Sequence, residues 1–261
     1  MRVKDNLFDL VPSRIGTSSL KWGKYEDSDI IPLWVADMDF RSPPAVLNLA
    51  QGICEEGNFG YGICPQTLTG TVLMRMKDMY SWSINKEWLT WLPGMVCGLN
   101  ISCRALAEQA SQVITNTPVY PPFLTSPGNS GLSCTEVPMV LEEGRFTIDF
   151  NHLRNLQTKK GDLFMFCHPH NPVGTNFTRN ELTRLSEYVI ERDLYICSDE
   201  IHCDLILEES MQHIPFASLS DEIASRTITL MAPSKTFNLA GFGCSFAVIS
   251  NGELRRRFKK A

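Results

Sequence analysis

Apolar and polar positions along this chain follow two patterns, short uninterrupted apolar runs and longer stretches with apolar residues at helical spacing. Three of the apolar runs, Asp162–His168, Leu194–Asp199 and Thr227–Met231, end at polar or turn-forming residues. Runs of this length and composition are typical of buried strands. The pattern therefore predicts three buried strands in the second half of the chain.

Helical spacing fills most of the other segments. The predicted helices run from Ser42-Pro43 towards Gly57, over residues 68–80, from Leu99 to Leu106, briefly after Asp149, from Thr178 to Glu191, and from the basic run at Arg255–Lys260. Two more apolar runs, Gln112–Asn116 and Thr135–Leu141, predict strands, and another apolar run returns after Gly243. Strands and helices that alternate in this way predict an α/β domain rich in parallel strands.

Three polar side chains follow the ends of the three buried strands: Asn171, Asp199 and Lys235. Taken alone, they are typical of a turn asparagine, a helix-capping carboxylate and a solvated loop lysine. In open α/β sheets, however, the ligand site lies outside the carboxyl ends of the strands. An amine held there can be partly desolvated and become a nucleophile or a base. An acceptor, an anion and an amine together would suit a cationic heteroaromatic ring that carries an aldehyde.

Composition narrows the class of protein. With 261 residues, 43% apolar and 20% charged, the chain is long enough for a large core and for one or two domains. A net charge of −5 gives no reason to expect nucleic acid or a membrane as partner. The N-terminal sequence lacks the apolar core of a signal peptide. Because the nine cysteines form no Cys-x-x-Cys pair, we expect buried, reduced thiols in a cytoplasmic protein.

The motifs Asn-Pro-Val-Gly, Ser-Asp-Glu-Ile-His and Ser-Lys-Thr-Phe-Asn follow the three predicted strands in this order. They resemble the motifs of the fold-type I pyridoxal-phosphate (PLP) enzymes. Residues 34–40 (WVADMDF), 59–62 (FGYG) and 167–174 (CHPHNPVG) narrow the resemblance. They are similar to the cystathionine β-lyase (cysteine-S-conjugate β-lyase) branch of the MalY/PatB type, within the class I/II aminotransferase superfamily. The resemblance runs from about Asp9 to the last residue.

This resemblance implies a fold. The large domain of such enzymes is a three-layer αβα sandwich with a mostly parallel sheet, which we expect at residues 41–261, after an N-terminal arm at residues 1–40. Family members continue into a C-terminal small domain, which supplies an arginine for the substrate carboxylate. The resemblance implies that this domain is absent here. We therefore expect the 261-residue chain alone to be feeble or inactive even if PLP binds.

The resemblance also assigns roles to individual residues. PLP would be attached to Lys235, with Asp199 at the pyridinium nitrogen, Asn171 at the ring 3-oxygen, Tyr120 stacked on the ring, His202 as a further cofactor-binding residue, and Val35, Ala36 and Asp37 in the substrate pocket. Two of these assignments have an alternative in the residues themselves. The segment around Ala36 is also typical of a strand packed on the core, and Tyr120 of a tyrosine packed in a proline-rich turn.

The phosphate of PLP would be held at several points. Val96 and Cys97 precede the helix predicted from Leu99, and a helix N-terminus offers free N–H groups and a positive dipole end to a phosphate. Many aminotransferases place a phosphate-binding arginine eight residues after the lysine, where this chain has Gly243. The resemblance therefore implies further phosphate contacts from Ser234, and from Tyr61 of the neighbouring subunit in a homodimer.

The implied function is a PLP-dependent carbon–sulfur β-lyase that acts on a small amino-acid substrate. L-cystathionine or a cysteine S-conjugate would give a thiol, pyruvate and ammonia. The same lysine, aspartate and asparagine serve transamination, so a class I/II aminotransferase is an alternative, and an inactive truncated PLP-binding module is another. From the residues alone, the metal ligands of a hydrolase could be His168, His170, Asp199 and His202. No metal-site signature surrounds these residues, however.

Overall fold

A computed structural model describes residues 7–9 and 11–261 of the chain. Contacts between residues divide the chain into two compact units. The first contains the chain up to Ile63 together with Ser234–Phe242, and the second contains Cys64–Pro233 and Gly243–Ala261. The assignment of residues 1–40 to an arm and of residues 41–261 to a large domain stays a prediction.

The second unit is built on a sheet of seven strands. The strands of this unit are β1 (Leu89–Leu92), β2 (Gln112–Thr117), β3 (Ser133–Pro138), β4 (Val140–Glu142), β5 (Arg145–Thr147), β6 (Leu163–Cys167), β7 (Tyr195–Asp199), β8 (Thr227–Met231) and β9 (Ser245–Val248). The sheet has the order β1-β9-β8-β7-β6-β2-β3 and is parallel from β8 to β3, whereas β9 is antiparallel to both of its neighbours. The three predicted buried strands are confirmed as β6, β7 and β8, which lie side by side.

Helices lie in both units. They are α1 (Leu20–Gly23), α2 (Pro44–Glu56), α3 (Gln66–Tyr80), α4 (Met95–Leu106), α5 (Pro122–Thr125), α6 (Phe150–Asn155), α7 (Arg179–Glu191), α8 (Asp221–Ala224) and α9 (Gly252–Lys260). Two predicted caps are confirmed. Asp149 accepts hydrogen bonds from the first N–H groups of α6, and Thr178 forms a capping box with Glu181 at the start of α7.

Helices cover both faces of the sheet. Successive residues of a strand point to opposite faces, so each strand contributes to two cores. In β6, Leu163 and Met165 belong to a core cluster shared with α4 and α9. Phe164 and Phe166, on the other face, belong to a cluster shared with α6 and α7. The second unit is therefore the predicted three-layer αβα sandwich with a mostly parallel sheet.

Two predicted helix starts are wrong. Helix α4 begins at Met95 rather than Leu99, which brings Val96 and Cys97 into its first turn. Helix α2 begins at Pro44, because Pro43 has a non-helical backbone (ψ 145°) and forms the N-cap itself. Proline is well suited to the first helical position, since its missing N–H would have no partner there.

The predicted strand Thr135–Leu141 is also wrong, because it forms parts of two strands. The chain leaves the sheet after Pro138, and the Met139 N–H donates to the Thr117 carbonyl at 2.8 Å. Val140 then begins β4, which pairs only with β5 in a separate antiparallel hairpin.

Polar contacts hold the first unit, where Pro32 is the one buried apolar residue among the positions whose burial the structure describes. Lys21 is buried, and its Nζ donates to the Asp37 carbonyl at 2.9 Å and to Asp39 Oδ2 at 2.7 Å. Trp22 Nε1 donates to Asp39 Oδ1 at 2.8 Å, and Arg14 pairs with the Asp37 carboxylate at 2.5 Å. The ionic contacts of Asp39 hold the pKa of its carboxyl group below the usual value against the opposing effect of burial.

Two general features concern the surroundings of the protein. Across residues 7–9 and 11–261, no helix has both the length and the apolar character that crossing a bilayer requires. All nine cysteines carry free thiols. Cys167 and Cys197 are fully buried in neighbouring strands, and burial raises the pKa of both thiols.

Candidate active site

Asp199 ends β7 at the carboxyl edge of the sheet. In the register of the sheet it lies between Cys167 of β6 and Leu230 of β8. Its Oδ1 accepts a hydrogen bond from the Ile201 N–H at 3.1 Å, and its carbonyl accepts one from the His168 N–H at 2.9 Å. Only 4% of the residue is exposed. The sheet thus fixes a carboxyl group at the edge where ligands bind in open α/β folds.

Asn171 lies in the loop after β6, and its N–H donates to the Cys167 thiol at 3.3 Å. His202 follows the end of β7 by three residues. Asn171 and His202 line the same cavity of about 470 Å³, together with Arg145 and Asn176. The structure therefore brings two of the predicted site residues, from two neighbouring strand ends, to one cavity.

Tyr120 lies in the loop after β2. The Nε2 of His170 donates to the Pro118 carbonyl at 2.8 Å, which joins this loop to the one that carries Asn171. Burial lowers the pKa of His170. Tyr120 is 41% exposed. The stacking of its ring on the cofactor stays a prediction.

The first turn of α4 presents backbone N–H groups to solvent. Gly94 forms the N-cap and has no side chain that could accept from them, and the Gly98 N–H donates to the Gly94 carbonyl at 3.2 Å. The N–H groups of Met95, Val96 and Cys97 therefore precede the first intrahelical bond. Val96 and Cys97 are exposed. Because a helix N-terminus attracts anions, these residues fit the phosphate of PLP.

Gly243 stands where many aminotransferases have an arginine, and its surroundings explain this difference. Its backbone is left-handed (φ +56°), a conformation that favours glycine. A Cβ at this position would lie 2.7 Å from the Pro93 carbonyl oxygen, closer than real Cβ contacts. An arginine at this position would therefore be strained and would displace the Pro93 carbonyl.

Lys235 belongs to the first unit and lies against the segment that was predicted to line the substrate pocket. Its Nζ donates to the Ala36 carbonyl at 3.1 Å. Val35 and Asp37 flank Ala36, and Asp37 is held by Arg14 as described above. Three predicted residues, Lys235, Ala36 and Asp37, are thereby placed close together within one unit.

The other two predicted residues of the first unit differ in exposure. Ser234 is half-buried, and its carbonyl accepts the Leu239 N–H at 2.9 Å. Tyr61 is fully exposed, and Phe59 and Ile63, two residues to either side, are largely exposed. Tyr61 therefore makes little packing contact within its own subunit.

The predicted residues thus form two groups. In the second unit, four of them lie at or after the ends of strands of one sheet, and two lie in the first turn of α4. The four are Asn171, Asp199, Tyr120 and His202, and the two are Val96 and Cys97. In the first unit, Lys235 and Ser234 lie in one segment and Val35, Ala36 and Asp37 in another. Along the chain, Lys235 follows Met231, the last residue of β8, by four residues. The joint action of the two groups stays a prediction.

Glu200 and His213 form a buried pair of titratable residues beside Asp199 that no sequence pattern predicts. Glu200 is completely buried, and its carboxyl group contacts His213 Nε2 at 2.7 Å, the Ser198 hydroxyl at 2.8 Å and the Phe216 N–H at 3.0 Å. Burial raises the pKa of Glu200 and lowers that of His213. The only sequence signal was a second acidic residue after a strand, which is equally typical of an exposed turn.

His168 also belongs to the core rather than to a ligand site. Its Nε2 donates to the Ile214 carbonyl at 3.1 Å, and its ring stacks on Phe166 with 5.5 Å between the centroids. Burial lowers the pKa of His168 to about 3. In the part of the chain that the structure describes, no three His, Cys, Asp or Glu side chains are grouped in a way that could hold a metal ion.

Comparison with known proteins gives one family and several close structural matches. The family model for aminotransferase class I and II matches residues 29–261. Cystathionine beta-lyase PatB of Bacillus subtilis (strain 168) is 38% identical over 259 residues, which cover 96% of this chain and 66% of that protein.

Two crystal structures resemble the chain over nearly all of its length. OvoB has a TM-score of 0.93 and 45% identity, over 98% of this chain and 67% of that one. Cystalysin from Treponema denticola, whose structure contains a pyridoxal 5'-phosphate cofactor, has a TM-score of 0.89 and 35% identity, over 97% of this chain and 66% of that one. The chain thus spans about two thirds of the length of these relatives.

Proposed function

The chain belongs to the class I and II aminotransferase family, and we propose that it is part of a PLP-dependent carbon–sulfur β-lyase. The observation that carries this proposal is the buried carboxyl group of Asp199, fixed between the ends of β6 and β8. A carboxylate at this edge suits the ring nitrogen of PLP, because it keeps that nitrogen protonated. The names of the Bacillus subtilis and Treponema denticola relatives support the cofactor and the reaction.

Individual residues would divide the binding of PLP among them. We assign Asp199 to the ring nitrogen, Asn171 to the 3-oxygen, and Tyr120 to one face of the ring, with His202 at the same cavity as Asn171. The phosphate would be bound by the first N–H groups of α4 at Val96 and Cys97, and by Ser234. When bound, PLP draws electrons from the Cα atom of an attached amino acid and so weakens its Cα–H bond.

Lys235 would have two roles. Its amine would attach the cofactor in the resting protein and, once released by the amino group of the substrate, would take the Cα proton as a general base. Loss of a thiolate from Cβ would then break the C–S bond. The thiolate would take up a proton and leave as the thiol, and water would hydrolyse the released aminoacrylate to pyruvate and ammonia. We place the substrate side chain near Val35, Ala36 and Asp37, since the Lys235 amine lies against the Ala36 carbonyl.

The substrate would be L-cystathionine or another cysteine S-conjugate. An aminotransferase is the second candidate, because the family match includes that activity and because the same three polar residues serve both reactions. The two are separated by supplying L-cystathionine with and without a 2-oxo acid. Pyruvate and thiol without the oxo acid support the lyase, whereas a strict requirement for it would identify an aminotransferase. Attachment of PLP without turnover in either assay is the result expected of a binding module.

Attachment of PLP can be tested before any turnover. Borohydride reduction after incubation with PLP should fix the cofactor on the peptide that contains Lys235. Lys235→Ala should abolish this label, while Lys86→Ala, at an exposed lysine in the second unit, should leave it unchanged. Label on another lysine, or none with PLP in excess, would contradict the proposal.

We further propose a homodimer in the cytoplasm. The exposed row of Phe59, Tyr61 and Ile63 offers apolar surface for a second copy of the chain. Free thiols at all nine cysteines suit a reducing compartment. Sedimentation equilibrium should give a dimer that Ile63→Asp weakens, and Tyr61→Phe should reduce PLP retention in the dimer without changing its mass. A monomer at all accessible concentrations would contradict the assembly.

A further inference from the structure

Asn238 lies three residues after Lys235, and its side chain makes two hydrogen bonds to one distant residue. Its Oδ1 accepts the Met38 N–H at 2.9 Å, and its Nδ2 donates to the Met38 carbonyl at 3.1 Å. An amide that pairs with both backbone groups of one residue fixes the distance and the orientation between two segments. We call this pair of hydrogen bonds the Asn238–Met38 bridge.

The backbone of Asn238 fits this arrangement. Its φ is +54°, in the left-handed region, which asparagine adopts more readily than most residues. Asn238 and Met38 both belong to the first unit, although 200 positions separate them along the chain. The bridge therefore joins the segment that carries Lys235 to the segment Ala36–Asp39.

The bridge lies next to the contact of the reactive amine. Ala36 precedes Met38 by two residues, and its carbonyl accepts a hydrogen bond from Lys235 Nζ at 3.1 Å. The lysine stem has four rotatable carbons and many rotamers, so a free amine would otherwise sample a wide volume. Fixing Met38 relative to Asn238 keeps the Ala36 carbonyl within reach of that amine.

The segment that bears the Ala36 carbonyl is itself anchored from behind. The buried ammonium of Lys21 bonds to the Asp37 carbonyl and to the Asp39 carboxylate, at 2.9 Å and 2.7 Å. Trp22 supplies a second donor to Asp39. The acceptor for the lysine amine is thus held by charged and hydrogen-bonded groups on both sides.

From these contacts we propose that Asn238 is a positioning residue for Lys235. The Asn238–Met38 bridge keeps the Ala36 carbonyl where it holds the free amine of Lys235, both before the cofactor attaches and after substrate has released it. This inference rests on the proposed function, because the position of the Lys235 amine matters only if that amine attaches PLP.

Two substitutions separate the bridge from the backbone conformation. Asn238→Gly removes both hydrogen bonds but retains access to the left-handed backbone. Asn238→Asp keeps the acceptor for the Met38 N–H but replaces the donor to the Met38 carbonyl with a carboxylate oxygen, which repels it. Asn58→Gly is the control, because Asn58 is an exposed residue of the same unit whose side chain accepts the Gly60 N–H at 3.1 Å.

The first measurement concerns the bridge itself. Hydrogen exchange at the Met38 amide should be slow in the natural sequence and in Asn238→Asp, and faster in Asn238→Gly. Melting temperatures measured alongside show whether the variants are folded. Equal exchange at Met38 in all three proteins would show that the bridge does not form and would overturn the inference.

The second measurement concerns the lysine. The rate of PLP attachment, followed by absorbance and mapped to Lys235 by borohydride reduction, should fall about tenfold in Asn238→Gly, as expected for the net loss of one to two hydrogen bonds. Asn238→Asp should lie between, and Asn58→Gly should match the natural sequence. A merely structural role would lower the melting temperature and leave the attachment rate of the folded protein unchanged.

The outcomes distinguish the two proposals. If PLP attaches to Lys235 at the same rate in Asn238→Gly as in the natural sequence, the positioning role is wrong and the proposed function stands. If PLP attaches to another residue, or does not attach to the natural sequence, the proposed function fails and the inference fails with it.

Discussion

At the scale of single residues, the buried titratable groups near the sheet set the response of the protein to pH. His168, His213 and Glu200 are fully or almost fully enclosed, and burial favours the uncharged form of each. A histidine kept neutral in the folded protein gains a proton more easily when the chain unfolds. Low pH therefore affects the stability of the buried core through its histidines, as well as the surface ion pairs.

His168 allows this effect to be measured. The pKa of His168 falls from 6.5 to about 3 on folding, so below pH 6.5 the unfolded chain binds this proton first and the contribution of His168 to the free energy of unfolding falls as the pH is lowered. In His168→Phe the fall between pH 6.5 and 5 should be shallower by about 1.4 kcal/mol per pH unit. Urea denaturation at several pH values measures the free energy of unfolding of both proteins. Because Glu200 is present in both, its own titration contributes to both curves.

The exposed His152 provides the control for this series. His152→Gln should reproduce the pH dependence of the natural sequence. Parallel curves for His168→Phe and the natural sequence would show that His168 is protonated in the folded protein.

At the scale of elements, the seating of α4 on the sheet places the proposed phosphate site. Gly98 faces the sheet, and a Cβ there would lie 3.0 Å from Leu230 Cδ1 and 3.1 Å from Leu92 Cδ1. The helix therefore approaches β8 more closely than a larger residue would permit. This close approach fixes the first turn of α4 at the carboxyl edge of the sheet.

Gly98→Ala should consequently destabilise the protein by about 1–3 kcal/mol, since overpacking outweighs the gain of about 1 kcal/mol in helix propensity. Gly70→Ala is the matched control, because Gly70 lies within α3 and a Cβ there would meet nothing within 4 Å. It should stabilise the protein by about 0.5–1 kcal/mol. Denaturant midpoints measure both, and equal effects of the two substitutions would contradict the close seating of α4.

Elements with strong local signals were predictable, and those with weak signals were not. The apolar runs of β6, β7 and β8 and the capping box at Thr178 gave boundaries that are correct to within one residue, because their causes lie within a few residues. β1, with only four residues, and the β4–β5 hairpin were missed, since short strands depend on their partners. The start of α4 was misplaced because Met95, Val96 and Cys97 have no cap that a sequence pattern would show.

At the scale of the whole molecule, apolar burial is distributed unevenly. The three apolar core clusters lie entirely within Cys64–Pro233 and Gly243–Ala261. The described residues of the first unit are joined by ionic and hydrogen-bonded contacts, and several of its large apolar side chains, among them Leu33 and Phe59, are exposed. Polar contacts near solvent contribute less stability than an enclosed apolar core.

Hydrogen exchange should reveal this difference. In dilute monomeric protein, amides of residues 11–63 should exchange through local opening well before those of α3, which follows directly in the sequence but belongs to the second unit. Mass spectrometry of peptic fragments distinguishes the two regions. Equal protection of both would show that the chain opens as a single cooperative body.

The positions of the candidate residues in the fold were predictable, while their long-range contacts were not. Asn171, Asp199 and Lys235 lie at or after the ends of strands that the local sequence defines, and their roles stay predictions. The Asn238–Met38 bridge spans 200 positions, and neither residue belongs to a local pattern that points to the other. Glu200 was missed for a similar reason, since only His213 and Phe216 show that it is buried.

Gly243 has a consequence for how this chain can change over generations. One nucleotide separates glycine codons from arginine codons, so mutation will repeatedly offer the phosphate-binding arginine that many aminotransferases have. The left-handed backbone and the Pro93 carbonyl at 2.7 Å from the added Cβ make each such mutant defective before the new guanidinium can reach a ligand. An arginine at this position therefore becomes tolerable only if the turn at Pro93 moves first.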